Sequence, residues 1–165
     1  MLPNRKQHRL DRNLYSQPGA YFITVCVKDR SPILSTVVGT DDHIGPQVRL
    51  SKIGAVVEKY TKTIPGIGQY VIMPNHVHMI LHIPTKEVGC GPMWSSAPTD
   101  ADVLNLVRTW KTLITKELGQ SIWQRSCYDH VIRNEQEYCE IAEYIIGNPG
   151  KWVEDTYFIP SLTGT

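Results

Sequence analysis

Hydrophobic and polar positions along this chain alternate between two periods, and the changes of period outline its elements. Tyr21–Val27 is aromatic and β-branched, follows Pro18-Gly19, and predicts a strand. Ile33–Val38 and Val48–Leu50 predict a peripheral hairpin around a stretch of turn residues. Ser51 is a helix cap, followed at helical spacing by Ile53, Val56, Val57, Tyr60 and Ile64 up to Pro65-Gly66. Gln69–Met73 and His76–Ile83 read as two strands split by Pro74-Asn75. Thr99 with Asp102 forms a capping box ahead of the stripe Val103, Leu106, Val107, Trp110, Leu113 and Ile114, which Gly119 ends. Trp123–Ile132 predicts a strand bent near Cys127. A last helix is capped by Asn134 with Glu137, carries Tyr138, Ile141, Ala142 and Ile145 on its apolar face, and stops at Gly147 and Pro149.

The order strand, helix, strand, strand, helix, strand matches the split pattern of a ferredoxin-like α+β fold, with two helices on one face of an antiparallel sheet. Side chains alternate across a strand. Val77, Met79, Leu81 and Ile83 therefore turn toward those helices, and His76, His78 and His82 turn to the open face. The extra helix from Asn134 is expected to pack on that open face and bring Tyr144 over the histidines.

Composition narrows the class. The chain has 165 residues, 41% hydrophobic and 20% charged, which suits one globular domain spanning 1–165. No apolar run reaches the ~20 residues of a membrane helix. Basic residues near the N-terminus are followed by no apolar stretch, which argues against a secretory signal. Cys26, Cys90, Cys127 and Cys139 form no C-x-x-C pair, so neither a zinc knuckle nor a disulfide framework is indicated. A reducing cytoplasm is the expected location. Net charge is +1, yet Arg5, Lys6, Arg9 and Arg12 against Asp11 give residues 1–20 a local +3. That basic arm is a candidate grip for phosphates, with Tyr15 beside it as a base-stacking candidate. Residues 84–98 form a long polar loop, and 153–165 a C-terminal tail.

The candidate chemistry lies in His76-Val77-His78 and in Tyr144 and Asn148. Imidazoles two apart on a strand share a face and suit a divalent metal. Tyr144 and Asn148, four apart, share a helix face. A strand that holds a metal and a helix that offers a phenol and an amide suggest metal-assisted attack on a phosphate. Tyrosine has an ordinary pKa of about 10 and needs activation for that role.

Met73-Pro74-Asn75-His76-Val77-His78-Met79-Ile80-Leu81 resembles the histidine–hydrophobe–histidine motif of the HUH single-strand nucleases. Tyr144-Ile145-Ile146-Gly147-Asn148-Pro149 resembles their single-tyrosine helix. Within that superfamily the chain is most similar to the REP-associated tyrosine transposases, whose likeness extends to Tyr15–Phe22, Trp94–Thr99 and Asp129–Asn134. The resemblance implies His76 and His78 as metal ligands, Tyr144 as nucleophile, and Asn148 as third ligand where many insertion-sequence relatives have glutamine. It implies Mg²⁺ or Mn²⁺ as cofactor and a 5′-phosphotyrosine intermediate. It implies single-stranded DNA with repetitive palindromic hairpins as partner, for a monomer or a homodimer. Two other readings follow from the residues alone. One is a non-catalytic single-stranded nucleic-acid-binding domain of RNA-recognition architecture, whose sheet face carries stacking aromatics where this chain carries histidines. The other is a metallohydrolase using water, which leaves Tyr144 without a role.

Overall fold

The computed structural model describes residues 15, 17–39, 45–84 and 102–159. Its core is a four-stranded antiparallel sheet of β1 (Gly19–Cys26), β4 (Ile67–Ile72), β5 (His76–Ile83) and β6 (Tyr128–Ile132), in the order β4-β5-β1-β6. The hairpin β2 (Ser35–Val38) and β3 (Gln47–Leu50) stands apart from it. Helices α1 (Lys52–Thr61) and α2 (Val103–Leu118) cover one sheet face, and α3 (Glu135–Gly147) lies on the other. This is the α+β ferredoxin-like arrangement that the order of elements predicts.

Alternation along the strands explains the two layers. Tyr21, Ile23 and Val25 of β1 and Val77, Met79 and Leu81 of β5 join Val57 of α1 and Val107, Trp110 and Ile114 of α2 in the main core. Ile80 of β5 and Ile132 of β6 point the other way and meet Ile145 of α3 in a second, smaller core. Each helix starts where a side chain satisfies its free N–H groups. Ser51 Oγ accepts from the Gly54 amide at 3.0 Å, Asp102 from Leu104 at 2.9 Å and Asn134 from Glu137 at 2.8 Å. Gly119, at φ 72°, ends α2 in the left-handed conformation that glycine adopts freely.

Three details depart from the sequence expectation. Strand β4 starts at Ile67 rather than Gln69 because glycines let it close against β5. A Cβ on Gly66 would stand 2.0 Å from the His82 carbonyl oxygen, and one on Gly68 would stand 2.8 Å from the His82 ring. Its end is earlier too: the Met73 amide turns to the His76 carbonyl at 2.8 Å and closes the tight turn through Pro74-Asn75. The strand expected over 123–132 is regular only from Tyr128. Trp123 makes a single bridge to Val27 and is drawn into the core, where its ring stacks on Trp110 at 4.7 Å. Tyr15, expected at a nucleic-acid surface, is a core residue at 2% exposure, with its carbonyl bonded to the Val103 amide. Burial of its ring removes it from the candidate DNA contacts. The arm residues Arg5, Lys6, Arg9 and Arg12, and loop residues 85–98 with Trp94, lie outside the described residues.

Gly54 tests this packing. Alanine is worth about 1 kcal/mol more than glycine in an open helix. A Cβ here would lie 1.9 Å from the Leu34 carbonyl oxygen, which also accepts from Ser51. Gly54→Ala is therefore expected to destabilise by about 1–3 kcal/mol, as overpacking does, and to lower the thermal midpoint by several degrees; an unchanged or raised midpoint contradicts the packing described.

Candidate metal and nucleophile centre

β1 and β5 pair so that Thr24 faces His78 and Cys26 faces His76. Both imidazoles leave the main core and lie under α3 and the turns that follow it. Despite facing the side that sequence leaves open, they are buried, at 0% and 2% exposure. Their Nε2 atoms stand 3.0 Å apart. Two cis ligands of an octahedral ion, each at about 2.1 Å, lie about 3.0 Å from one another.

Hydrogen bonds orient the rings. Asn75 Nδ2 donates to the Arg30 carbonyl at 3.2 Å and to the Tyr157 carbonyl at 2.7 Å. That fixes the amide, so Asn75 Oδ1, 2.8 Å from His76 Nδ1, accepts from it. His76 then carries a lone pair on Nε2. His78 Nδ1 lies 2.7 Å from Thr24 Oγ1. A hydroxyl donates or accepts, so Thr24 serves either tautomer of His78. With Nδ1–H on His78, both Nε2 lone pairs converge on one point. Asp29 (φ 55°) and Arg30 (φ 52°) hold the turn that presents the Arg30 carbonyl, and a left-handed backbone costs such residues about 1–2 kcal/mol each.

The remaining groups come from the end of the chain. A 3₁₀ turn, Asn148–Glu154, follows α3 directly. Asp155 Oδ1 accepts from the Tyr157 amide at 2.8 Å, while Oδ2 lies 3.7 Å from His76 Nε2. His76, His78 and Asp155 place ligand atoms within 4.8 Å of one another, the metal-capable acid–histidine group among the described residues. Asn148 is 1% exposed, and its Oδ1 has no hydrogen-bond partner. A buried acceptor without a donor is costly, and a cation relieves that cost. The donor set of two imidazoles, a carboxylate and an amide oxygen fits a divalent ion of the Mn²⁺ or Mg²⁺ type.

Tyr144 stands at the rim, 43% exposed. Its ring is 5.4 Å from His78 and meets Phe22 edge-on at 6.2 Å. Burial pushes its pKa above the ordinary 10, the Asp155 carboxylate pushes it further, and the Asn148 side chain opposes them. Of the residues expected to meet, His76, His78 and Tyr144 are thus neighbours, and Asn148 lies beside Tyr144. Sequence reading missed Asp155, Asn75 and Thr24. Asn75 was legible as the residue before the histidines, but Asp155 sits in a segment with no periodic signal. His82 caps its own turn through the Gly66 carbonyl, and His130 pairs with Glu137.

Known proteins resemble the chain over most of its length. A Haemophilus influenzae protein described as uncharacterized is 31% identical over 175 residues, covering 94% of each chain. The Escherichia coli K12 REP-associated tyrosine transposase is 27% identical over 155 residues, 92% of this chain and 80% of that one. A putative REP-associated tyrosine transposase of H. influenzae is 25% identical over 142 residues, 85% and 75% of the two chains. The solved structure of a REP-associated tyrosine transposase bound to a REP hairpin shares the fold, with a TM-score of 0.56 at 24% identity, over 91% of this chain and 76% of that one. No family model matches.

The histidines make stability depend on pH. Unfolded, each ionises near 6.5; folded, burial lowers His78 to about 4, and burial with the facing His78 and Arg30 lowers His76 to about 2. The unfolded chain binds more protons between those limits. Stability is therefore complete above about pH 6.5 and falls as pH drops toward 4 and then 2, by at most about 1.4 kcal/mol per pH unit for each histidine. Chelator-treated protein is expected to lose thermal midpoint from pH 7 to pH 5, and His78→Gln to lose less over the same range; identical slopes contradict the buried neutral pair.

Proposed function

Because this chain belongs to the family of the REP-associated tyrosine transposases, we propose that it is a metal-dependent single-stranded DNA endonuclease and strand transferase of the HUH type. Its substrate is DNA beside palindromic hairpins, and Tyr144 is its nucleophile. The observation that carries the reading is the meeting of Tyr144 with two buried imidazoles whose Nε2 atoms are 3.0 Å apart.

His76 and His78, with Asp155 and Asn148, would hold the divalent ion. Bound there, such an ion offsets charge on phosphate oxygens and eases ionisation of a nearby phenol. The side chains do the rest. Tyr144 Oη attacks phosphorus, and the bond from phosphorus to the 3′ oxygen breaks. The phenol proton leaves to solvent, and the departing 3′ oxygen takes up a proton. The 5′ phosphate stays on Tyr144 as an ester, which keeps the energy needed to rejoin a strand without a nucleotide cofactor. Exposure of Tyr144 at the rim lets a strand reach it, while Phe22 limits the ring's rotation from beneath. Asn75 and Thr24 hold both imidazoles in place, so that little reorganisation is needed on loading.

The binder alternative uses a bare sheet face for stacking bases. Here α3 covers part of that face through Ile145, Ile141 and Tyr138, which leaves less room for that mode.

With Mn²⁺ or Mg²⁺ and a labelled single-stranded hairpin oligonucleotide, the chain is expected to cut and to give a covalent protein–DNA band on a denaturing gel. Tyr144→Phe should abolish both, by a factor of about 10³ or more as for other lost nucleophiles. Cutting that survives in Tyr144→Phe would assign the reaction to water instead. Asp155→Asn is expected to weaken Mn²⁺ binding, read by calorimetry, about tenfold or more; unchanged affinity removes Asp155 from the ligand set.

A further inference from the structure

A second charged site lies on the far side of the sheet from the histidines. The polar face of α2, the turn after β1 and the segment before β6 border a wide, open groove of about 580 Å³. Lys28, Arg108, Lys111, Lys116 and Arg125 line it, and no acidic residue does. These are five of the chain's 17 lysines and arginines, in a protein whose net charge is only +1. Among the described residues none of the five is ion-paired with a carboxylate, whereas Lys59 and Lys62 on α1 are. Arg108 is turned by Asn105 Oδ1 at 3.1 Å, Lys28 by the Ser121 carbonyl at 3.2 Å and Lys111 by the Gln124 carbonyl at 3.0 Å. Neutral oxygens thus hold three of the cations without cancelling their charge.

Trp123 borders the same site and offers a probe beside it. It is 3% exposed, it lines the groove, and its indole N–H has no hydrogen-bond partner. Trp110, stacked against it, spends its own N–H on Thr61 Oγ1 at 3.1 Å. An unmet buried donor costs about 1–3 kcal/mol. Burial also lowers the pKa of the Lys111 ammonium. An anion seated here relieves two penalties, clustered like charge and a desolvated ammonium.

We propose that this groove is a phosphate-recognition site that grips the backbone of the DNA hairpin while the strand to be cut lies across the sheet at Tyr144. The hairpin as occupant rests on the function proposed above. The groove is wider than one phosphate ion, and its guanidinium forks and point charges suit successive phosphates of a stem. It reads no base, so it contributes affinity and register rather than sequence choice. Lys28 sits two residues beyond Cys26, which pairs with His76. The grip and the metal centre therefore lie near the same end of β1, on opposite faces of the sheet.

The test uses the full chain carrying Tyr144→Phe, which binds without cutting, and compares it with the same chain carrying Arg108→Gln, Lys116→Gln and Arg125→Gln. All three arginine and lysine side chains are exposed, so folding is expected to survive, with circular dichroism as the check. Hairpin affinity is read by anisotropy over a series of salt concentrations. The triple variant is expected to bind at least about tenfold more weakly and to lose about three from the slope of log affinity against log salt, about one for each phosphate contact. The Trp123 indole N–H resonance is expected to move when hairpin is added. Equal affinity and slope in the two chains overturn this site while leaving the function proposed above standing. Failure of the parent chain to bind hairpin overturns both. If inorganic phosphate moves the Trp123 resonance and the variant keeps full hairpin affinity, the groove is a small-anion site and the backbone assignment is wrong.

Discussion

Two neutral imidazoles, buried and aimed at each other, set the constraint on which this molecule is built. Charging either would put a cation in a place without water, and burial accordingly holds both far below the ordinary histidine range. Facing lone pairs repel unless a proton or a cation lies between them. The antiparallel register of β1 and β5 fixes this meeting, because it sets Thr24 opposite His78 and Cys26 opposite His76. A slip by one residue would turn the histidines into the main core and the valine between them out of it.

Around that pair the chain gathers pieces distant in sequence. Asn75 orients His76 only because the carbonyls of Arg30 and Tyr157 hold its amide. The turn after β1 and the segment after α3 therefore meet at one side chain. Tyr157 also stacks on His76 at 4.6 Å, and Arg30 lies over the Tyr157 ring at 5.5 Å. Tyr144 differs from these supports in being half out of the fold. On the proposed function that exposure is needed, because a nucleophile that meets a strand of DNA cannot share the burial of the groups that position it.

Much of this was legible because it rests on periodicity. Alternation along 76–83 assigned the histidines to one face, and the offset of Tyr144 from the stripe Tyr138, Ile141, Ala142 and Ile145 marked it as more than core. Capping chemistry at Ser51 and Asn134 found two helix starts. Asp155 escaped because no period or cap marks the stretch after Pro149; its place depends on a 3₁₀ turn that returns the chain to the histidines. Tyr15 was misplaced because its basic neighbours suggested a surface, whereas its ring had apolar company distant in sequence. The bridge at Trp123 was overextended into a strand for a related reason: stacking on Trp110 outweighs the local preference for extended pairing.

On the proposed reading, the sheet divides the protein into a reactive side and a charged side. Whether the paired imidazoles hold a cation is read from crystals soaked in Mn²⁺ and measured at the manganese absorption edge. An anomalous peak is expected within coordination distance of both His76 Nε2 and His78 Nε2, with Asp155 or Asn148 beside it and the Tyr144 ring above. A peak elsewhere, or none while the two imidazoles remain bonded to each other, would contradict the metal assignment.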